Sequence, residues 1–343
     1  MPETAKLQIE KIVTDVLGTI EREREREIIS RRFGLFDRKE TLEQIGELLG
    51  ITRERVRQLE KAVVTKLKSN ADGGQLPHIA MVQDAFIELL GNMGNVSRVT
   101  DLSAKLNKEN TRVDQSRVSF LAQLSPKLVV IDDNENYFLA VAYKTVHDEK
   151  KVKKMVEQVV SAVKKIGEPA GIENIAKEAG IDSVKHASAL ASTSKALATL
   201  NDRWGLIKWP MVNPKNIRDK IYVILKEHGK HMHFNEIAEA IKASEFKRKD
   251  VTTQAIHNEL IKDKRFVLIG RGIYALKEWG YSKGTVADII TEVLKKAKEP
   301  LHRDEIVKLV LKSRYVKETT ILLNLQGKQQ FKRVAKATYA LAE

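Results

Sequence analysis

Four times along the chain an amphipathic helix pattern begins anew, at Ile79, Val152, Ile217 and Val286, with spacings of 73, 65 and 69 residues. Each start opens the same order of elements. The first helices read MVQDAFIELLGNM, VKKMVEQVVSAVKKIG, IRDKIYVILKEHG and VADIITEVLKKAK. Short second helices follow, VTDLSAKLN, IENIAKEAG, FNEIAEAIK and RDEIVKLVL, then a third helical stretch. A β-rich piece closes each repeat: KLVVIDDNENYFLAV, WGLIKWP, RFVLIGRGIYALKEW and FKRVAKATYALA. Such a period identifies supersecondary units that bury their apolar faces partly against one another. Three of the closing pieces hold two apolar runs around a turn, as a β-hairpin requires; the 205–209 piece is shorter. The hairpin argues against an all-helical solenoid. Three helices and a hairpin make a winged helix. The expected fold class is therefore mainly α with small β-hairpins: a helix-turn-helix domain followed by a tandem array of four winged-helix-like domains. The loop SNADGGQLP marks a first boundary. The expected domains are 1–70, a linker at 71–77, then 78–149, 150–213, 214–281 and 282–343.

Charge narrows the partner. The chain of 343 residues holds 60 Lys+Arg and 46 Asp+Glu, a net +14. The excess is uneven: residues 78–149 carry −3, whereas the last 194 residues carry +16. A polyanion would be drawn to that C-terminal half, with nucleic acid first in line. There is no cysteine, which excludes a disulfide scaffold, thiolate zinc ligands and a cysteine nucleophile. No apolar run approaches the roughly 20 residues that span a bilayer. The start, MPETAKLQIEK, has no h-region, so neither a signal peptide nor a membrane partner is expected, and the expected compartment is the cytoplasm.

The most informative stretch is LEQIGELLGITRERVRQLEKAVVTKLK at 42–68. Leu42, Ile45 and Leu49 form one apolar stripe. Gly46 lets a second helix cross closely, Gly50 ends the first helix, and Thr52 caps the next. This is a helix-turn-helix. With Arg53 at zero and about 100° per residue, Arg57 falls near 40°, Lys61 near 80°, Glu54 near 100° and Gln58 near 140°. Val56, Leu59, Val63 and Leu67 fall between about 240° and 320°, on the opposite face. Arginine bonds guanine O6 and N7, glutamine pairs with adenine, and glutamate accepts from cytosine N4. A recognition helix enters the major groove N-terminus first. Arg53, Glu54, Arg57 and Gln58 are therefore the candidate base-reading residues.

From Leu17 to Lys68, through REREIISRRFGL at 24–35, TLEQIGELLGITRERVRQLE at 41–60 and KAVVTKLK, the chain resembles region 4 of the primary bacterial sigma factors. The resemblance implies recognition of a −35 promoter element by Arg53, Glu54, Arg57 and Gln58, and phosphate contacts from Arg24, Arg32 and Thr41. Thr52, Arg55 and Lys61 complete the candidate phosphate set. It also implies bacterial core RNA polymerase as partner, through the flap of its β subunit and the apolar surface around the first two helices. Val64 and Thr65 stand where that family is usually richer in arginine. Nothing resembles the sigma region that melts the −10 element, which needs exposed aromatics to stack on unpaired bases. Trp204, Trp209 and Trp279 lie in hairpin-like segments. The chain is therefore not expected to be a self-sufficient sigma factor.

Residues 214–281 resemble the HARE helix-turn-helix domain, which also occurs in the delta subunit of some RNA polymerases. Residues 282–343 resemble a second, more distant copy. That resemblance implies contacts to DNA or within transcription complexes, with Thr252, Thr253, Gln254, His257 and Asn258 opening the third helix of the unit and Arg271 at its wing tip as secondary DNA candidates.

Other signals are weaker. Gly270-Arg271-Gly272 reads as a hairpin turn, since no helix follows to offer its N-terminus to a phosphate. His231 and His233 lack further ligands for a metal. Ser192 and Lys195 form S-x-x-K without the partner motifs of acyl-enzyme chemistry. EREREREIISRR at 21–32 reads mostly as a solvated face with i,i+4 pairs. No catalytic constellation, cofactor, metal or small-molecule substrate is expected. The sequence reads as a non-enzymatic DNA-binding transcription factor acting with RNA polymerase. The alternative is a delta-like polymerase accessory subunit working mainly through protein contacts.

Overall fold

The computed structural model describes residues 7–144, 148–246 and 250–342. The first six residues, which belong to the stretch read for a signal peptide, lie outside them. By contact the chain divides into two units, Met1–Ile207 and Lys208–Glu343.

The first unit opens with four helices: α1 (Ile9–Gly18), α2 (Glu23–Phe33), α3 (Leu42–Leu49) and α4 (Arg53–Asp72). Local sequence sets their limits. The Thr41 hydroxyl accepts from the Gln44 amide while the Gln44 side chain returns to the Thr41 amide, a reciprocal cap on α3. Gly50, at φ +64°, ends α3 in the left-handed region. Two residues on, Thr52 accepts from the Arg55 amide and starts α4. A Cβ on Gly46 would stand 2.6 Å from the Ile51 carbonyl oxygen, so the tight turn requires glycine there. Ile28, Ile45 and Val56 are buried together beneath this turn, with Leu42, Leu49, Ile51 and Leu59 half-buried around them.

Four repeats follow, each with one topology: helix, short strand, helix, helix, two further strands. The first holds α5 (Ile79–Met93), β1 (Val96–Arg98), α6 (Val99–Leu106), α7 (Arg112–Leu124), β2 (Leu128–Ile131) and β3 (Ala140–Tyr143). The second holds α8 (Glu149–Ile166), β4 (Ala170–Gly171), α9 (Ile172–Ala179), α10 (Val184–Thr193), β5 (Leu197–Leu200) and β6 (Arg203–Leu206). The third holds α11 (Ile217–His228), β7 (Met232–His233), α12 (Phe234–Ala243), α13 (Thr253–Lys262), β8 (Phe266–Gly270) and β9 (Ile273–Leu276). The fourth holds α14 (Val286–Ala297), β10 (Leu301–His302), α15 (Arg303–Leu311), α16 (Glu318–Gly327), β11 (Phe331–Ala335) and β12 (Thr338–Leu341). In every sheet the last strand lies in the middle, antiparallel to both neighbours: β1-β3-β2, β4-β6-β5, β7-β9-β8 and β10-β12-β11.

Two details depart from the sequence reading. The short strand before each second helix is only two or three residues long, too brief for alternation to register. The second hairpin lies at 197–206 rather than 205–209: Leu197 pairs with Leu206 and Leu200 with Arg203. Its turn is Asn201-Asp202, both at positive φ, as a two-residue hairpin loop demands.

Within the first unit one continuous core runs from α1 to β3. Ile9, Val13 and Val16 of α1 join Leu67 of α4, Phe86 and Leu90 of α5 and Phe120 and Leu121 of α7. The 71–77 segment, expected as a linker, is part of it: Ala71 ends buried on α4, and Leu76 is buried too. Arg117 of α7 reaches back to the first domain, donating to the Leu35 carbonyl at 2.7 Å and to Glu10 at 3.0 Å. Between the first and second repeats, Arg98 donates to the Ser192 carbonyl and covers the Phe138 ring, and Tyr137 bridges to Ser194. In the second unit, Arg314 donates to the carbonyls of Leu268 and Gly284, joining the third and fourth repeats.

Candidate nucleic-acid interface

The polar face of α4 is built by its own periodicity. Val56, Val63, Leu67 and Ala71 are buried. Arg53, Glu54, Arg55, Arg57, Gln58 and Lys61 are exposed. The helix has 20 residues, about 30 Å, and its exposed N-terminal turns are slim enough for a major groove roughly 12 Å wide.

The four candidate base readers form one patch. Arg57 grips Glu54 with two bonds, Nε to Oε2 at 2.8 Å and Nη2 to Oε1 at 2.7 Å. Gln58 donates to the same carboxylate at 3.4 Å. The Arg57 hydrogen bond holds the Glu54 carboxyl below its ordinary value, and Glu54 raises the Arg57 guanidinium in return. Both side chains are more than half exposed, so the pair is screened and contributes little to stability. Its effect is geometric. It fixes a planar fork, with an acceptor beside it, on the outer face of the helix.

The candidate phosphate contacts divide. Arg55 and Lys61 are exposed, and Arg55 donates to Gln58 at 3.4 Å. Thr41 and Thr52 accept at helix caps through their hydroxyl oxygens, which leaves each O–H able to donate to an anion at the helix N-terminus. Arg24 donates to the Leu49 carbonyl. Arg32 donates to Glu60 and to the Glu40 carbonyl, both at 3.4 Å. These two arginines brace the helix-turn-helix as well as carrying charge.

In the second unit Thr252 caps α13, accepting from the Ala255 amide. Gln254 and Asn258 are exposed and bond each other at 3.1 Å. Thr253 is half-buried. His257 turns inward against the Phe234 and Tyr274 rings at 5.0 and 6.2 Å. Arg271 is exposed at the β8–β9 turn.

The four third helices are not equivalent, a difference that no pattern of residues announces. α7 buries Arg117, Val118, Phe120, Leu121, Ala122 and Leu124. α10 buries His186, Ala187, Ala189, Leu190, Ala191 and Thr193. Burial on two sides leaves mainly their first turns exposed, with Arg112 on α7 and Val184 and Lys185 on α10. α13 buries only Ile256 and Leu260, and α16 only Ile321 and Leu325. The arginines that join consecutive domains escape sequence reading, because their partners lie 82, 94 and 46 residues away.

Among the described residues no group of three His, Cys, Asp or Glu is placed to hold a metal ion. His233 accepts at the α12 cap and His231 lies against the Tyr315 ring. Ser192 donates to the Ala189 carbonyl and Lys195 pairs with Asp133, so the S-x-x-K residues have other partners. No helix of the described residues is long and apolar enough to cross a membrane.

Residues 22–69 match the family Sigma-70, region 4. The N-terminal part thus carries a sigma-70 region 4 domain. Over 72 residues the chain is 43% identical to the RNA polymerase sigma factor sigB of Arabidopsis thaliana, covering 21% of this chain and 12% of that protein. Over 71 residues it is 45% identical to the RNA polymerase sigma factor RpoD of Helicobacter pylori, covering 20% and 10%. Over 55 residues it is 49% identical to the RNA polymerase sigma factor SigA of a Bacillus species, covering 16% and 14%. The matched region thus spans about a seventh or less of these relatives.

Proposed function

We propose that the protein is a non-enzymatic, DNA-binding transcription factor that reads a −35-type promoter element with α4 and acts in transcription initiation with bacterial RNA polymerase in the cytoplasm. The observation that carries this reading is the exposed Arg53, Glu54, Arg57 and Gln58 patch on the recognition helix of a sigma-70 region 4 domain. Those residue types supply the donors and acceptors that the major groove distinguishes. The four repeats are read as winged helices, the third and fourth of HARE type. The positive charge of the third and fourth adds affinity that depends on salt and little on sequence.

Buried α1 bears on the polymerase contact. Its apolar face, with Ile9, Ile12, Val13, Val16 and Leu17 buried, is enclosed in the core shared with α5 and α7. A hold on the β flap through that face would require α1 to detach. Contact with polymerase is therefore assigned to other surfaces, the basic C-terminal half foremost.

Selection of bound duplexes from a random pool, with and without core RNA polymerase, tests the proposal. It predicts enrichment of one short element by the protein alone. Enrichment of no sequence in either arm, with retention on polymerase, would favour an accessory subunit working through protein contacts.

A further inference from the structure

The four closing hairpins share a topology but not a surface. The first carries Asp132, Asp133 and Glu135 and is docked on the second repeat, with Asp133 paired to Lys195 and Tyr137 bridged to Ser194. The second turns through Asn201-Asp202 and presents one arginine, Arg203. The third is covered along β8, where Arg314 bonds the Leu268 carbonyl and the Tyr315 amide bonds that of Ile269 at 3.1 Å. The fourth differs from all of them. β11 is an edge strand, and only its first residue, Phe331, is buried. Lys328, Lys332, Arg333 and Lys336 are all exposed. Among the described residues none of the four has an ion-pair partner; Arg333 donates only to the Ala335 carbonyl. From Lys328 to Leu341 there is no acidic residue.

The helix that ordinarily meets a ligand in such a unit is ill suited here. α16, ETTILLNLQG, holds no lysine or arginine and one glutamate, and it exposes Leu323. Four of the thirteen Lys and Arg residues of 282–343 lie at 328–336 instead, with no acidic residue among them. Cations on an edge strand also prevent sheet-to-sheet pairing. Four in and beside a short hairpin, Lys332 and Arg333 on β11, Lys336 in its turn and Lys328 at the end of α16, create a local positive field that pairs with closely spaced phosphates.

We infer that the β11–β12 hairpin, with Lys328 just before it, is a sequence-independent anchor for the phosphate backbone of duplex DNA, made by the cations at 328–336 and not by the exposed face of the third helix. The inference builds on the proposed DNA-binding function and is separable from it. The anchor sets how tightly the protein holds any duplex, and α4 sets which duplex it prefers.

The test uses the full chain. One variant carries Lys328→Gln, Lys332→Gln, Arg333→Gln and Lys336→Gln. A charge-matched control carries Lys150→Gln, Lys154→Gln, Lys164→Gln and Lys177→Gln, at exposed positions in the second repeat. Affinity for a selected and an unrelated duplex is followed across a salt series. For the hairpin variant the slope of log K against log [salt] should become shallower by about 3, equally on both duplexes. For the control it should change by less than about 1. An unchanged slope in the hairpin variant, or an equal change in the control, overturns the inference. Loss of retention on core RNA polymerase with DNA binding intact overturns it in favour of a protein partner. If the wild-type protein shows no preference between the duplexes, the reading of α4 fails, while the slope comparison still decides the hairpin.

Discussion

Arg117, Arg98 and Arg314 each join consecutive pieces of the chain by donating to a backbone carbonyl of the neighbour. A guanidinium suits this task because its several donors lie in a rigid plane and it keeps its charge when desolvated. Burial holds Arg98 and Arg314 below the ordinary guanidinium value, yet that value starts so high that both remain charged at neutral pH. Arg117 is 8% exposed, and truncating it would leave the Leu35 carbonyl without its donor. Arg117→Ala should therefore lower the unfolding free energy of the first unit by about 2–4 kcal/mol in chemical denaturation. A loss under about 0.5 kcal/mol, the ordinary size for a surface substitution, would contradict the clamp. Gly46 makes a second residue-scale case. Alanine favours a helix interior by about 1 kcal/mol over glycine, so propensity alone predicts that Gly46→Ala stabilises α3. The 2.6 Å approach to the Ile51 carbonyl opposes this, and a net loss of about 1–3 kcal/mol is expected. A gain in melting temperature would show that the turn relaxes freely.

At the scale of elements, α11 and α13 are tied by one ionic knot. Arg265 bonds Asp263 at the end of α13 at 2.8 Å and Asp219 in the first turn of α11 at 3.2 Å. Burial pushes the Asp263 carboxyl up, but the hydrogen bonds from Arg265 outweigh it and hold the group below its ordinary value. A depressed carboxyl contributes stability above its unfolded pKa, about 3.9, and loses it as pH falls through the folded value. The melting temperature of the 208–343 unit should thus drop as pH is lowered below about 4, and Asp263→Asn should make that drop shallower. Identical acid profiles for the two proteins would remove the knot from the account. Much at this scale was legible in the chain. Thr52, Gly50 and Gly46 announce the helix-turn-helix through caps and steric limits that act within ten residues. The four long helices announce themselves by period. The strands β1, β4, β7 and β10 do not, because two or three residues carry no alternation and owe their state to a partner strand far along the chain. The burial of α7 and α10 was hidden for the same reason: RVDQSRVSFLAQL does not say what covers its second face.

On the scale of the whole molecule, the region 4 domain shares its core with the first repeat, so the two are expected to unfold together. A fragment of residues 1–77 would expose the apolar face of α1. It should melt well below the corresponding transition of the full chain or associate through that face. An equal melting temperature for a monomeric fragment would mean that the shared core contributes nothing. The candidate readers on α4 were legible because a helix face needs only its own sequence, whereas the scaffold behind it needed coordinates. Whether this face reads bases is decided by measuring, at one salt concentration, the affinity of wild type and Arg57→Ala for the selected duplex and each of its single base-pair variants. Arg57→Ala should cost about 1–3 kcal/mol on the selected site and abolish discrimination at one base pair while leaving the others intact. The same loss on every duplex would contradict base reading by α4.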